Sequence, residues 1–194
     1  MSNESVSTLH LLGSSHQVAN LAVRERISLS PEKVDDFYKG LKNLPGLDEC
    51  LLLNTCNRTE VYGASHSSFS PQVLHQYLSE FCQVESDFLK RHSYQHSGGK
   101  VIEHLFGVAS GVDSQMVGET EILGQVKKAY DDACLRNTSG KMLNRLFQKG
   151  FQAAKWARTN TGISRGQVNL GNVLCELSRR IFGKISTCRL LVVG

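Results

Sequence analysis

The stretch Cys50-Leu51-Leu52-Leu53-Asn54-Thr55-Cys56-Asn57-Arg58-Thr59-Glu60-Val61-Tyr62-Gly63-Ala64 decides the fold class. Residues 50–54 form a short apolar run suited to a buried strand, and residues 60–64 suit a second. Thr55-Cys56-Asn57-Arg58 lies between them. Upstream, Ser7 to Leu12 reads as a strand ending at Gly13. Ser30-Pro31 then offers an N-cap followed by proline at the first helical position. Val34, Phe37, Tyr38 and Leu41 follow at helical spacing, and Leu44-Pro45-Gly46 stops that helix. Downstream, Ser70-Pro71 opens a helix with Val73, Leu74, Tyr77, Leu78 and Phe81 on one face. Strand, helix, strand, strand, helix favours an α+β fold over a doubly wound sheet: a small, mostly antiparallel sheet packed with helices.

The rest of the chain is mostly helical. Ser97-Gly98-Gly99 is a loop before a helix over 101–108, and glycines 111 and 118 punctuate the next segment. Glu119 to Leu135 reads as a helix with Ile122, Val126, Ala129, Tyr130 and Ala133 on one face. Glu119 and Glu121 fall in its expected first turn, where the helix dipole favours acids. A break at 137–140 precedes another helix over 141–158. Residues 159–171, rich in Gly, Ser, Thr and Asn, divide the chain into units 1–160 and 161–194. A helix over 172–182 and an apolar run, Leu190 to Gly194, close it.

Hydrophobic residues are 40% of the 194 and charged residues 21%, which fits a globular rather than a disordered chain. No apolar run approaches the roughly 20 residues that span a membrane, and residues 1–5 lack the basic and apolar regions of a signal peptide. A cytoplasmic protein is expected. None of the six cysteines makes a Cys-x-x-Cys pair and no histidine has zinc-finger spacing, so no metal site is expected. In a reducing compartment most of these thiols are small buried hydrophobes.

Cys56 differs. It ends a strand before a polar turn, where a thiol projects into a cleft. Arg58 would stabilise a thiolate, and Thr55, Asn57 and backbone amides would hold a carbonyl or an oxyanion. A partly exposed structural cysteine, with Arg58 in a salt bridge, is the plain alternative. A resolving partner for thiol redox chemistry is hard to supply. Cys50 lies six residues away, about 20 Å along a regular strand. The charge is also uneven. Net charge is +4, yet residues 136–165 hold seven basic and no acidic side chains, leaving −3 for the remainder. Such asymmetry suggests a polyanionic partner, with a solvated helix face as the alternative. No aromatic is interleaved well enough for base stacking, and Trp156 is expected to pack against the domain.

Residues 52–62 closely resemble the nucleophile segment of glutamyl-tRNA reductases. Gly111-Val112-Asp113-Ser114-Gln115-Met116-Val117-Gly118-Glu119-Thr120-Glu121-Ile122-Leu123-Gly124-Gln125-Val126-Lys127 matches a second family segment. Gly13-Ser14-Ser15-His16, with Arg24-Glu25 after it, matches a third. The resemblance implies an enzyme that reduces the glutamyl group of glutamyl-tRNA to glutamate-1-semialdehyde with NADPH, the entry step of tetrapyrrole synthesis. It implies Cys56 as nucleophile and His104 as a histidine important for activity. Thr55, Asn57, Arg58, Ser114, Glu119, Thr120, Glu121 and Gln125 would contact substrate. Relatives often carry Gln where Glu121 stands here, and an inward carboxylate would repel the glutamyl group. Residues 161–194 would be a linker, a helix and the first strand of a truncated Rossmann domain, with Gly194 the first glycine of the NADPH phosphate loop. A homodimer is implied for full-length relatives. A thiol hydrolase or redox protein, and a non-catalytic RNA-binding module, are the competing readings.

Overall fold

A computed structural model describes residues 8–66, 69–163, 170–184, 186, 189 and 191. Four strands, β1 (Thr8–Ser15), β2 (Leu47–Asn54), β3 (Arg58–Ser65) and β4 (Tyr94–Ser97), form one sheet in the order β2-β3-β1-β4. Every neighbouring pair is antiparallel. The fold is therefore the expected α+β class.

Alternation along the strands sends successive side chains to opposite faces. Leu11, Leu51 and Tyr62 lie in one cross-strand row, and Leu12, Leu52 and Val61 in the next. The first row packs under α5 (Gly99–Ser110), α6 (Glu121–Leu135) and α7 (Lys141–Asn160), through Leu105, Val126 and Phe147. The second packs under α1 (Leu21–Ile27), α2 (Val34–Lys42), α3 (Pro71–Phe81) and α4 (Ser86–Arg91), through Ile27, Phe37, Leu74 and Leu89. The sheet is thus buried on both faces. An eighth helix, α8, spans Leu170–Phe182.

Three elements are additional to those expected: α1, α4 and β4. Asn20 caps α1 by accepting from the Val23 amide at 3.1 Å. Ser30 makes no capping bond, and a 3-10 turn over Pro31–Lys33 leads into α2. Glu119 stands outside α6; its amide bonds the Met116 carbonyl, leaving Glu121 as the acid of the first turn. Helix α7 runs two residues past its expected end, to Asn160. Its N-terminus is capped by another element. The Glu49 carboxylate on β2 accepts from the amides of Gly140, Met142 and Leu143 at 3.0, 2.9 and 2.7 Å. Trp156 does not pack against the domain: its side chain follows the helix away from the Leu146–Gly150–Ala154 face and is 65% exposed. Most of the apolar run at 190–194, including Gly194, lies outside the described residues.

Candidate active site around Cys56

Cys56 occupies the tight turn joining β2 to β3, and it is exposed. Thr55 locks that turn. Its amide donates to the Arg58 carbonyl at 2.8 Å, and its hydroxyl accepts from the amides of Asn57 and Arg58 at 3.2 and 3.1 Å. The Asn57 carbonyl accepts from the His16 amide at 3.0 Å, and the Cys56 carbonyl from Arg24 Nε at 3.2 Å. Asn54 pins the preceding loop through the Leu29 carbonyl at 2.6 Å. The thiol therefore stands on a backbone held from three sides.

Beneath the turn, Arg58, Glu60 and Tyr62 point to the same sheet face. Glu60 is fully buried and accepts four hydrogen bonds: from Arg58 Nη1 (2.7 Å), Tyr62 OH (2.6 Å), Tyr94 OH (2.5 Å) and His104 Nε2 (2.9 Å). Burial works against its charge, but His104 and Arg58 outweigh burial and hold the carboxyl down at about 2. Burial likewise opposes the Arg58 charge, and Glu60 reverses that, so the guanidinium stays charged. Burial and then the Glu60 carboxylate raise the Tyr94 hydroxyl well above its ordinary value. Gly13 makes room for this hub. A Cβ there would stand 2.8 Å from Glu60 Cγ and 2.9 Å from Tyr94 Cε2.

Asp113 closes the network from the segment after α5. Its carbonyl accepts from Arg58 Nη2, its Oδ1 accepts from Gln17 Nε2, and its Oδ2 lies 3.5 Å from Arg58 Nη1 and 3.9 Å from His104 Nδ1. Four buried polar atoms in these segments have no hydrogen-bond partner: Arg58 Nε, Ser14 Oγ, His16 Nδ1 and Ser114 Oγ. Buried polar atoms are rarely left unsatisfied, so water or a polar ligand is the natural partner for them. Burial first, and Arg58 second, lower the His16 pKa, keeping its imidazole neutral near pH 7.

The expected site residues distribute unevenly. Thr55, Cys56, Asn57 and Arg58 form one turn, and Arg58 reaches His104 through Glu60 and Ser114's neighbour Asp113 directly. Thr55 and Gln125 both line a cleft of about 440 Å³ along the open edge of β2, between α2 and α6. Glu119 spends its carbonyl on Arg158 Nη2 at 2.8 Å. Thr120 and Glu121 are exposed at the start of α6, and no described contact joins either to the Cys56 turn. Glu60, Tyr94, Asp113, His16 and Arg24 join the site without a signal of their own in the sequence, except Glu60, which stands between Arg58 and Tyr62 at alternate positions of β3. Among the described residues, no group of three His, Cys, Asp or Glu is arranged to hold a metal ion. No described helix is long and apolar enough to cross a membrane.

Residues 12–161 match the family described as Glutamyl-tRNAGlu reductase, N-terminal domain. Two similar curated proteins are the glutamyl-tRNA reductases of Desulforudis audaxviator, 38% identical over 95% of this chain, and Syntrophotalea carbinolica, 40% identical over 95%. The chain spans about two fifths of their length, 41% and 42%. A solved structure, glutamyl-tRNA reductase from Methanopyrus kandleri, superposes with a TM-score of 0.69 at 32% identity. It covers 90% of this chain and 40% of that one.

Proposed function

The chain belongs to the glutamyl-tRNA reductase N-terminal domain family, and we propose that it carries out the acyl-transfer half of that reaction, with Cys56 as nucleophile. The Cys56 thiolate attacks the ester carbonyl of glutamyl-tRNA. A carbon–sulfur bond forms, the bond to the terminal ribose oxygen breaks, and that oxygen leaves with a proton as the RNA hydroxyl. Glutamate remains as a thioester on Cys56. When bound, NADPH would supply the hydride for reduction of such a thioester to glutamate-1-semialdehyde, which opens tetrapyrrole synthesis and would free the thiolate. No described residue is assigned a contact with NADPH; the expected one, Gly194, lies outside them.

The observation that carries this reading is an exposed thiol on a locked turn, two residues before a buried arginine with a donor left over. With Nη1 on Glu60 and Nη2 on the Asp113 carbonyl, Arg58 offers its charge and its Nε–H, which together with the Ser114 hydroxyl hold the glutamyl side chain. The Asn57 side chain and the Cys56 amide meet the developing oxyanion, the amides of Thr55, Asn57 and Arg58 being engaged within the turn. His16, neutral and unpartnered at Nδ1, takes the thiol proton and returns it to the ribose oxygen. His104 acts through Glu60, as a positioning residue for Arg58. The exposed Glu121 carboxylate stands off from the glutamyl group and complements the α6 dipole.

A thiol redox protein is disfavoured by Cys50, which is buried in the α1–α4 core with its thiol pushed up to about 12 by burial. The test is single-turnover deacylation. The chain should release RNA from glutamyl-tRNA stoichiometrically, spare aspartyl-tRNA, and lose the burst in Cys56→Ser. A burst that survives Cys56→Ser overturns the assignment.

A further inference from the structure

Of the seven basic side chains between 136 and 165, two serve the fold. Arg136 pairs with Asp35 at 2.6 Å and lies over the Tyr38 ring at 5.1 Å. Arg158 holds the Glu119 carbonyl. Arg165 lies outside the described residues. The other four, Lys141, Arg145, Lys149 and Lys155, are exposed on α7 and form no ion pair among the described residues. Helix α7 contains no Asp or Glu. Arg145, Lys149, Gln152 and Trp156 follow one another at steps of four, three and four residues, so they make one stripe along the outer face, about 16 Å long at 1.5 Å per residue. The stripe ends in an indole 65% exposed to water.

The direction of the stripe matters. The α7 N-terminus is tied to Glu49 at the start of β2, and its last turn to Glu119 through Arg158. The segment from 113 to 119 also carries the carbonyl that Arg58 holds. Trp156 is therefore at the Cys56 end of the helix, and the cations lead away from it.

We infer that this face of α7 is the RNA-docking surface of the molecule: Arg145 and Lys149 contact backbone phosphates, and Trp156 stacks on an unpaired base nearer the acylated end. The inference rests on the acyl-transfer reading for which RNA is meant. Acid-free cations fit a polyanion, and an exposed indole beside them offers a base a stacking platform.

Trp156 is the protein's one tryptophan, so its fluorescence reports on this surface alone. Deacylated tRNA is titrated into the chain carrying Cys56→Ala, which separates binding from chemistry. The fluorescence should be quenched. Arg145→Ala/Lys149→Ala should lower the log–log salt slope by roughly 1.4 to 1.8, at 0.7 to 0.9 per phosphate. Trp156→Ala, followed by filter binding, should weaken affinity about tenfold and leave the slope unchanged. Circular dichroism checks that the exposed-site variants remain folded. RNA binding with an unmoved slope in the double variant, or an undiminished affinity in Trp156→Ala, overturns the inference. So does quenching by self-association without RNA. A chain that binds RNA this way but never becomes acylated would leave the inference standing and sink the acyl-transfer reading.

Discussion

Glu60 is the residue on which the site depends most. Four donors converge on one buried carboxylate, and among them Arg58 is itself buried. Removing one partner of a buried pair leaves the other charge uncompensated, at a cost of about 3–5 kcal/mol. Glu60→Gln should therefore lower stability at pH 7 by that order in denaturant unfolding, while Tyr94→Phe should cost less. The pH dependence has a definite sign. The folded carboxyl titrates at about 2, below its unfolded value of 4.5. Its contribution is complete above the unfolded value and is lost as pH falls from there toward 2, on the order of 3 kcal/mol in all. Glu60→Gln should flatten that acid limb; an unchanged limb would contradict the hub. Gly13→Ala tests the same cluster sterically. A Cβ pressed against Glu60 and Tyr94 should destabilise by about 1–3 kcal/mol. His16 makes a separate prediction. Its lowered pKa keeps the imidazole a base at pH values below 6.5, so the acid limb of Cys56 acylation should fall below 6.5 and disappear in His16→Gln.

At the scale of elements, α7 is positioned by a strand. Its first residues carry no capping side chain of their own, and three of its free N-terminal amides find the Glu49 carboxylate. Gly140 permits the approach, since a Cβ there would lie 2.7 Å from Glu49 Cδ. Glu49→Ala should cost about 1–2 kcal/mol in thermal unfolding, with Glu49→Gln milder. Elements with strong periodic apolar patterns were legible in the sequence: α2, α3, α6 and α7 sit within a few residues of their expected places. The two central strands were legible because each is an apolar run bounded by polar turns. β4 was not, because Tyr94-Gln95-His96-Ser97 is an edge strand with half-exposed polar residues and no apolar alternation. At six residues, α4 is too short to show a period.

For the whole molecule, the nucleophile turn was legible as a local motif, and its supporting shell was not. Arg58 meets Asp113 across 55 residues, and Glu49 meets Leu143 across 94. Pairings of that range leave no spacing signature, since only the packing of α5 and α7 onto the sheet creates them. Packing also corrected Trp156, which local pattern would place inside. What emerges is a sheet buried on both faces, its Cys56 turn at one end and an acid-free helix face running away from it. The most direct test is intact-mass and peptide mapping of the chain after brief incubation with glutamyl-tRNA. The account predicts one hydroxylamine-labile glutamyl group on the peptide containing Cys56, and none in Cys56→Ala. An unmodified Cys56, or the glutamyl group carried by another cysteine, would contradict it.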